Sequence, residues 1–267
     1  MTDQVYPLVV AHRGSSDSRA EHTLAAYQQA IAEGADALEC DVRLTADGIL
    51  VCVHDRRIDR TSDGRGVVSA KTYAELAGQD YGSWKQGVQS DDPAEVDQSL
   101  HGLLRLDELI ALVLEADRPI DLSIETKHPV RYGGLVERRL LDELVKADLT
   151  RRVPGRPRVR VMSFSETAVR RVREIEPSVP TVLLMDRVPV RARSGYLPAG
   201  ARIAGPSIDI IRKYPEYVKA WKSAGAGVHV WTVNAPADIE LCLQLGVDAI
   251  ITNRPLDVIA ARTAYLS

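Results

Sequence analysis

Short apolar segments rich in β-branched residues recur along the chain, and helix-length segments with apolar residues at three- and four-residue spacing separate most of them. This alternation predicts βα units and hence a parallel sheet. Nine apolar segments stand out, at residues 7–11, 37–42, 49–53, 120–125, 159–163, 181–185, 202–205, 228–233 and 248–252. Amphipathic helices are expected near residues 23–33, 106–116, 133–147, 165–176, 214–224 and 236–245.

The link between the second and third segments is too short for a parallel crossover, which needs about a dozen residues. Its sequence, Thr45-Ala46-Asp47-Gly48, is typical of a hairpin turn. The third segment therefore runs antiparallel to the second and leaves eight parallel strands. This pattern predicts an α/β fold, a single (β/α)₈ TIM barrel, which usually takes about 250 residues. We expect one domain over residues 1–267, with a hairpin after the second strand.

Two stretches break the βα alternation. Residues 55–104 are rich in Gly, Ser and Asp, include Ser90-Asp91-Asp92-Pro93, and are too long for an ordinary βα loop. We interpret them as a small insertion over one barrel face that could shape substrate access. Residues 186–200 carry several arginines and are predicted to form a loop in place of a regular helix.

Composition narrows the class of protein. The chain has 267 residues, 45% of them hydrophobic, and a formal net charge of −3, so it offers no global basic field for nucleic acid or an anionic membrane. Three cysteines are an odd number in a chain long enough to fold without disulfides. With no secretory signal visible and apolar runs too short to span a bilayer, the expectation is a cytoplasmic protein without stable membrane association. The oligomeric state stays open.

The predicted hairpin carries the first candidate chemistry. A two-residue turn centred on Ala46-Asp47 pairs residues whose numbers sum to 93, which places Glu39 opposite His54 and Asp41 opposite Cys52. Two carboxylates and an imidazole then share one face, and Cys40 and Cys52 lie on opposite faces. The alternative is that these are ordinary surface residues of a half-exposed hairpin.

A third carboxylate, Glu125, ends the fourth segment in Ile124-Glu125-Thr126-Lys127. Carboxylates at the ends of separate barrel strands converge at the top face. Three such charges repel each other unless a cation lies among them. Because Glu39, Asp41 and Glu125 are all oxygen donors, Mg²⁺ or Ca²⁺ is favoured over Zn²⁺.

The first strand ends in His12-Arg13-Gly14. Together with His54, His12 would place two imidazoles beside the predicted metal, which suits general acid and base chemistry. Arg13 and Lys127 add two cations that can bind an anion. Phosphate is the anion that suits this set best, and a carboxylate substrate remains an alternative.

At this point the ordered motifs resemble the glycerophosphodiester phosphodiesterase family over residues 9–255. The motifs that carry the resemblance are His12-Arg13-Gly14, Glu21-His22-Thr23, Glu39-Cys40-Asp41-Val42, Thr45-x-Asp47-Gly48, His54-Asp55, Ile124-Glu125-Thr126-Lys127, Ser163-Phe164 and Trp231-Thr232-Val233-Asn234. The resemblance implies a TIM barrel related to phosphatidylinositol-specific phospholipases C. It also implies hydrolysis of glycerophosphodiesters, such as glycerophosphocholine or glycerophosphoethanolamine, to sn-glycerol 3-phosphate and an alcohol.

The same resemblance implies residue roles. The residues matching Glu39, Asp41 and Glu125 bind one divalent cation, those matching His12 and His54 are the acid and base, and Arg13 and Lys127 match positions near the phosphate. It further implies attack by the glycerol 2-hydroxyl to give a cyclic phosphate that water opens. The chain departs from the family where the usual Pro-Glu-Asn-Thr reads Ala20-Glu21-His22-Thr23. We keep Glu21 as a supporting residue and leave His22 unassigned.

Several alternatives remain. Trp231 and Asn234 could contact the glycerol or alcohol group, or Trp231 could simply fill the barrel top. The arginine-rich stretch from Arg151 to Arg173 is interpreted as a solvated loop and helix face, with a membrane-surface or nucleic-acid role as the alternative. A lysophospholipase D or a lyase that stops at the cyclic phosphate is the second functional candidate. A binding protein on a catalytically inactive barrel is the third.

Overall fold

The computed structural model of the protein describes residues 7–87 and 97–267. Within these ranges the chain forms nine β-strands and eleven α-helices. The strands are β1 (Leu8–His12), β2 (Ala37–Leu44), β3 (Leu50–Cys52), β4 (Asp121–Thr126), β5 (Val159–Ser163), β6 (Thr181–Met185), β7 (Ile203–Pro206), β8 (Gly227–Val230) and β9 (Ala249–Thr252). The helices are α1 (Leu24–Ala32), α2 (Tyr73–Ala77), α3 (Ser83–Gln86), α4 (Gln98–His101), α5 (Leu106–Leu114), α6 (Leu135–Lys146), α7 (Glu166–Ile175), α8 (Ile208–Lys213), α9 (Glu216–Ser223), α10 (Pro236–Leu245) and α11 (Pro255–Leu266).

Eight parallel strands close into a barrel in the order β1-β2-β4-β5-β6-β7-β8-β9, and β9 pairs back with β1. Strand β3 pairs antiparallel with β2 and lies outside the ring. The predicted TIM barrel with a hairpin after the second strand is therefore confirmed. Because all eight ring strands point the same way, their carboxyl ends gather at one end of the barrel and their amino ends at the other.

Local signals explain where the helices begin. Thr23 caps α1 by accepting a hydrogen bond from the N–H of Ala26, and Ser165 caps α7 in the same way through Ala168. The six predicted helices lie within two residues of their expected bounds. Helices α8 and α11 and the short helices α2, α3 and α4 were not predicted. The six residues of α8 carry little periodicity. Helix α11 begins with a proline in its first turn, Pro255, which is a usable start signal.

The predicted hairpin register is wrong by one residue. Val42 pairs with Cys52 and Leu44 with Leu50, because the turn has three residues, 46–48, rather than two. The N–H of Thr45 donates to the carbonyl of Ile49, and Gly48 takes a left-handed φ of +82°, as three-residue hairpin loops require. Glu39 therefore does not pair with His54. Cys40 and Cys52 share a face and pack in the same apolar cluster.

The barrel interior has an apolar middle layer between two polar ends. This layer consists of Val10, Ala37, Met162, Val182, Leu184, Ala249 and Ile251, all buried. Two larger apolar clusters fill the space between the outer faces of the strands and the helices. Burial on this scale is the main force that stabilises the fold, and the middle layer keeps the two ends of the barrel apart.

The segment between β3 and α5 packs on its own small apolar cluster, formed by Val51, Val53, Ile58, Val68, Leu76, Tyr81 and Leu103. Helices α2, α3 and α4 belong to this predicted insertion, and Ser90-Asp91-Asp92-Pro93 lies outside the described residues. The predicted irregular stretch at 186–200 contains two short 3₁₀ turns, Val190–Ser194 and Pro198–Gly200, and no α-helix. None of the described helices has the length and apolar character needed to cross a membrane.

Candidate active site

Three buried carboxylates lie together at the carboxyl end of the barrel. Glu39 and Asp41 occupy alternate positions of β2, and Glu125 on β4 is directly in register with Asp41. Residues two apart on a strand share a face, and registered neighbours on adjacent strands do so as well. One carboxylate oxygen from each of the three lies within 4.8 Å of the others. The structure thus brings together the three residues predicted as metal ligands.

Two cations partly balance these charges. The Nζ of Lys127 lies 2.8 Å from Glu125 Oε1 and 3.1 Å from Asp41 Oδ1. The Nε of Arg13 lies 3.1 Å from Asp41 Oδ2. Burial alone would raise the pKa of Asp41, but Lys127 and the other nearby cations hold it well below its usual range.

The other two carboxylates behave differently. Burial, and then the neighbouring charge of Asp41, raises the pKa of Glu39 well above its usual range. The same two causes raise the pKa of Glu125 to about 8. The two protein cations thus favour ionisation of Asp41 more than of Glu39 and Glu125. The three carboxylates together have too little positive charge around them.

The turn after β1 directs Arg13 into this cluster. Arg13 has a left-handed φ of +58°, and its N–H donates to the main-chain oxygen and the Oε2 of Glu39, both at 3.1 Å. Gly14 follows with a φ of +83°, and a Cβ there would lie 2.6 Å from the backbone of Ala26. Only glycine fits this close approach, which explains the sequence His12-Arg13-Gly14.

His12 ends β1 and faces the carboxylates. Its Nδ1 lies 2.7 Å from the side-chain oxygen of Asn253, and its Nε2 lies 4.0 Å from Glu39 Oε2. A carbonyl oxygen only accepts, so this contact assigns the proton to Nδ1 and leaves a lone pair on Nε2. Burial, reinforced by the positive charge of Arg13, lowers the pKa of His12 to about 3. His12 is therefore neutral at neutral pH.

His54 follows β3 and reaches the same cavity, since the strand ends at Cys52 and the chain then turns. The main-chain oxygen of His54 accepts hydrogen bonds from Arg43 at 3.0 and 2.7 Å. Its Nδ1 lies 2.7 Å from the carboxylate of Asp55. Burial lowers the pKa of His54. A carboxylate at Nδ1 stabilises the protonated ring more than the amide beside His12 does.

Glu21 links Arg13 to the insertion. Its carboxylate contacts Arg13 Nη1 at 2.9 Å and two nitrogens of Arg60, each at 2.8 Å. Arg60 Nε in turn donates to Asp55 at 2.6 Å. Burial opposes ionisation of Glu21, but hydrogen bonds from Arg60 lower its pKa to about 2. A continuous set of ion pairs therefore runs from Asp41 to the partner of His54.

His22, which stands where the family usually has Asn, lies beneath the site. Its Nε2 is 3.0 Å from Asp41 Oδ2, and its Nδ1 is 2.8 Å from the hydroxyl of Tyr27. That hydroxyl donates to the main-chain oxygen of Glu39 at 3.1 Å. Protein groups occupy both ring nitrogens, so His22 orients Asp41 and does not face the cavity.

The opposite wall of the cavity is apolar. Met162, Leu184, Ile251, Phe164 and Trp231 face the charged residues across a volume of about 100 Å³. Trp231 is fixed by a 2.7 Å hydrogen bond from Nε1 to the carbonyl of Gly205. The ring of Phe164 meets it edge-on, with centroids 5.3 Å apart. Such a wall can pack against the uncharged part of a bound molecule.

The carboxylate cluster fits a divalent cation of the Mg²⁺ or Ca²⁺ type. All donors are oxygens, which these ions prefer. Asp41 Oδ1 is buried, and its 3.1 Å ion pair with Lys127 does not have hydrogen-bond geometry. The raised pKa values of Glu39 and Glu125 are the expected result of three carboxylates facing too little positive charge.

Most predicted site residues line this one cavity, namely His12, Arg13, Glu39, His54, Glu125, Lys127 and Trp231. Asp41 and Glu21 do not line the cavity themselves, but each contacts Arg13, which does. Asn234 points elsewhere and accepts hydrogen bonds from Thr252 and from the N–H of Asn253.

Sequence reasoning assigned no role to three residues that hold the site, Asp55, Arg60 and Asn253, although Asp55 belongs to the motif His54-Asp55. Asp55 adjoins His54, and Asn253 follows the last barrel strand, so position could have indicated both. Arg60 lies in the insertion and has no such signal.

Comparison with known proteins gives a consistent result. A model of the glycerophosphoryl diester phosphodiesterase family matches residues 12–257. A Mycobacterium tuberculosis protein named "Probable glycerophosphodiester phosphodiesterase 1" is 47% identical over 254 residues, covering 94% of this chain and 90% of that protein. The Bacillus subtilis glycerophosphodiester phosphodiesterase is 32% identical over 252 residues, covering 93% of this chain and 84% of the relative.

Solved structures share the fold. A glycerophosphodiester phosphodiesterase from Agrobacterium tumefaciens superposes with a TM-score of 0.75 at 24% identity, covering 95% of this chain and 99% of that one. An Oleispira antarctica phosphodiesterase, solved in complex with the product sn-glycerol-3-phosphate, superposes with a TM-score of 0.78 at 23% identity. The match covers 96% of each chain.

Proposed function

We propose that this chain, which belongs to the glycerophosphoryl diester phosphodiesterase family and is therefore a phosphoric diester hydrolase, cleaves small glycerophosphodiesters in a divalent-cation-dependent reaction. Glycerophosphocholine and glycerophosphoethanolamine are the proposed substrates, and sn-glycerol 3-phosphate and the free alcohol are the products. The observation that carries this proposal is the convergence of three carboxylates and two imidazoles at the carboxyl end of one barrel.

The proposed cation site consists of Glu39, Asp41 and Glu125. A cation held there would supply positive charge to the phosphoryl oxygens. Arg13 and Lys127 are the proposed phosphate ligands among the protein side chains. Both residues line the cavity, and Arg13 Nε and Lys127 Nζ each contact the carboxylate cluster. Guanidinium and ammonium groups are the protein groups best suited to a phosphodiester anion.

The two histidines are assigned as an acid and base pair. His12 is neutral and its Nε2 carries the lone pair, so it suits removal of the proton from the attacking hydroxyl. His54 has the carboxylate of Asp55 behind its Nδ1, which suits a ring that carries a proton and gives it to the leaving alcohol. We infer these roles from the different partners of the two rings.

A second candidate, hydrolysis of a lysophospholipid or formation of a cyclic phosphate from one, is favoured by a single observation. Phe164 is 43% exposed at the mouth of the cavity beside Trp231, and an exposed aromatic edge can contact an acyl chain. A catalytically inactive binding barrel is disfavoured, because each predicted acid, base and carboxylate is present and converges on the cavity.

We further infer that the chain works as one barrel domain in the cytoplasm, which its three buried, unpaired cysteines support. The net charge of −3 gives no reason to expect nucleic acid as a partner.

The test of the function is turnover on a panel of substrates, with enzymatic detection of sn-glycerol 3-phosphate from the glycerophosphodiesters and of free choline from the lysolipid. The panel contains glycerophosphocholine, glycerophosphoethanolamine and lysophosphatidylcholine. Release of glycerol 3-phosphate from the first two is expected. Turnover of the lysolipid alone would favour the second candidate, and turnover of none would contradict the proposal.

A further inference from the structure

The arginine-rich stretch after α6 lines a cavity at the amino end of the barrel. Residues 149–152 and 158–160 form one side of it, and the first residues of β1, β7 and β8, Leu8, Ile203 and Gly227, form the other. Its volume is about 410 Å³, within the usual range for small-molecule sites. We refer to it as the arginine cavity. The apolar middle layer of the barrel separates it from the active site.

Two buried polar side chains on the barrel interior line this cavity. Arg160 on β5 and His229 on β8 are 7% and 4% exposed. Arg160 Nη2 donates to Asp121 at 2.8 Å, but its Nη1 has no hydrogen-bond partner among residues 7–87 and 97–267. The same holds for Nδ1 of His229. Leaving buried polar atoms unpaired is costly, so two residues that line one cavity and each leave such an atom unpaired indicate a polar ligand.

The charge around the cavity indicates that this ligand is an anion. Arg151, Arg152 and Arg158 are exposed at its rim, and none has a carboxylate within 4.0 Å in the described part of the chain. The one acidic side chain in the lining, Asp248, is already paired with Lys222 at 3.0 Å and with the N–H of Val228 at 2.8 Å. Burial lowers the pKa of His229 to about 3, so its ring is neutral and contributes hydrogen bonding rather than charge.

We propose that the arginine cavity binds a small organic phosphomonoester, independently of the catalytic site. A dianionic phosphate matches three uncompensated guanidinium groups at the rim, and its several acceptor oxygens can also satisfy Arg160. Leu8, Val159 and Ile203 add an apolar surface beside these donors, which an organic substituent would cover. The cavity is also much larger than a phosphate ion needs. This proposal does not depend on the identity of the reaction at the other end of the barrel.

The test is calorimetric titration of phenyl phosphate into the full chain, with inorganic phosphate as a second probe and chelator present. The variant is R152Q/R158Q, because both side chains are exposed and can be changed without unpairing a buried group. The matched control is R170Q/R187Q, which removes the same charge from two exposed arginines outside the cavity. Lys127→Ala removes a proposed phosphate contact in the active site.

Binding to the wild type, tighter for phenyl phosphate than for inorganic phosphate, is expected. R152Q/R158Q should weaken it about tenfold or more, whereas the control pair and Lys127→Ala should leave it within about twofold. Loss of binding in Lys127→Ala would assign the ligand to the active site. Equal loss in the control pair would show a general charge effect. Polyuridylate is titrated separately, and binding of it by a protein that does not bind phenyl phosphate would indicate a nucleic-acid site. Each of these results, or no binding to the wild type, overturns the proposal.

A second variant tests the buried group. Arg160→Lys keeps a cation beside Asp121 but removes the unpaired Nη1, and is expected to weaken binding of phenyl phosphate about tenfold. Thermal unfolding of the same protein shows whether it is folded. The wild-type Tm should rise by about 3 °C with phenyl phosphate at roughly ten times Kd. An unchanged affinity in a folded Arg160→Lys variant would contradict the role of Nη1.

Discussion

The two ends of the barrel differ in how completely their charged side chains are paired. At the carboxyl end, carboxylates, cations and imidazoles are packed against each other, so that Asp41 alone contacts Lys127, Arg13 and His22. At the amino end, Arg160 is paired with Asp121 but the rim arginines have no partner in the described ranges. The same strands reach both ends, since β4 begins at Asp121 and ends beyond Glu125.

This contrast indicates that stability alone does not explain the buried charges at the two ends. Buried ion pairs seldom repay the cost of desolvation, and the charges at the carboxyl end are incompletely balanced, as the raised pKa of Glu125 to about 8 shows. The amino face of a TIM barrel usually serves stability, yet here it holds unpaired donors around a cavity. We therefore expect changes at one end to leave the properties of the other end unaffected.

The largest expected effect concerns the two histidines at the carboxyl end. His12→Ala and His54→Ala should each lower kcat about 10³-fold, the usual contribution of general acid or base catalysis. His101 also has an aspartate partner, Asp80 at 3.0 Å, but lies in the insertion away from the cavity. His101→Gln is expected to keep turnover per folded protein within about twofold.

Turnover of a glycerophosphodiester with a p-nitrophenyl leaving group tests which histidine is the acid. Such a leaving group needs no proton, so it should restore most of the turnover of His54→Ala but not that of His12→Ala. The opposite pattern would exchange the two roles. Restoration in neither variant would show that neither histidine protonates the leaving group.

The next effect concerns stability and tests the ion pairs that join Glu21 to Arg13 and Arg60. Because the pKa of Glu21 is lowered from 4.5 to about 2, its contribution to stability is present above pH 4.5 and is lost as the pH falls towards 2. Glu21→Gln should lower the free energy of unfolding by about 3 kcal/mol at pH 7. Denaturant unfolding of both proteins between pH 2 and 7 measures this; a difference that does not shrink below pH 4 would contradict it.

A smaller effect is expected from the residue that orients His12. Asn253→Ala removes the acceptor at Nδ1 and should lower kcat about tenfold, since imidazole partners of this kind fix the tautomer and ring orientation. Asn253→Asp keeps an acceptor and should retain most of the activity. Steady-state kinetics as a function of pH distinguish this role from a structural one, because only an orienting residue changes the pH profile together with kcat.

The smallest effect concerns the apolar wall. Phe164→Ala should raise KM for glycerophosphodiesters about threefold and leave kcat within about twofold, because an exposed aromatic edge contributes little to binding. Tyr265 is 55% exposed on the terminal helix, so Tyr265→Ala is the matched control. A fall in kcat of Phe164→Ala larger than its rise in KM would place Phe164 closer to the reacting groups.

Much of the fold could be predicted because the βα alternation is regular and each strand pattern is local. The hairpin register could not, because one glycine at positive φ decides between a two-residue and a three-residue turn. His54 still reaches the predicted cavity, since it follows the end of β3 and its position depends on the turn after the strand rather than on strand pairing.

The site was predictable to the extent that its residues lie at strand ends. Glu39, Asp41 and Glu125 follow from strand alternation and barrel topology. Arg60 and Asn253 hold side chains 39 and 241 residues away in sequence, and no local pattern indicates such contacts. The arginine cavity was missed for a related reason, because the arginines are local in sequence but the cavity is formed by the beginnings of several strands.

The most direct test of the central claim, that Glu39, Asp41 and Glu125 form one divalent-cation site between two catalytic histidines, is calorimetric titration of Mg²⁺ and Ca²⁺ into chelator-treated protein. We predict one ion per chain for the wild type and for His54→Ala, and binding at least about 100-fold weaker for Glu125→Gln. Wild-type affinity in Glu125→Gln, or full turnover of the chelated wild type, would contradict the account.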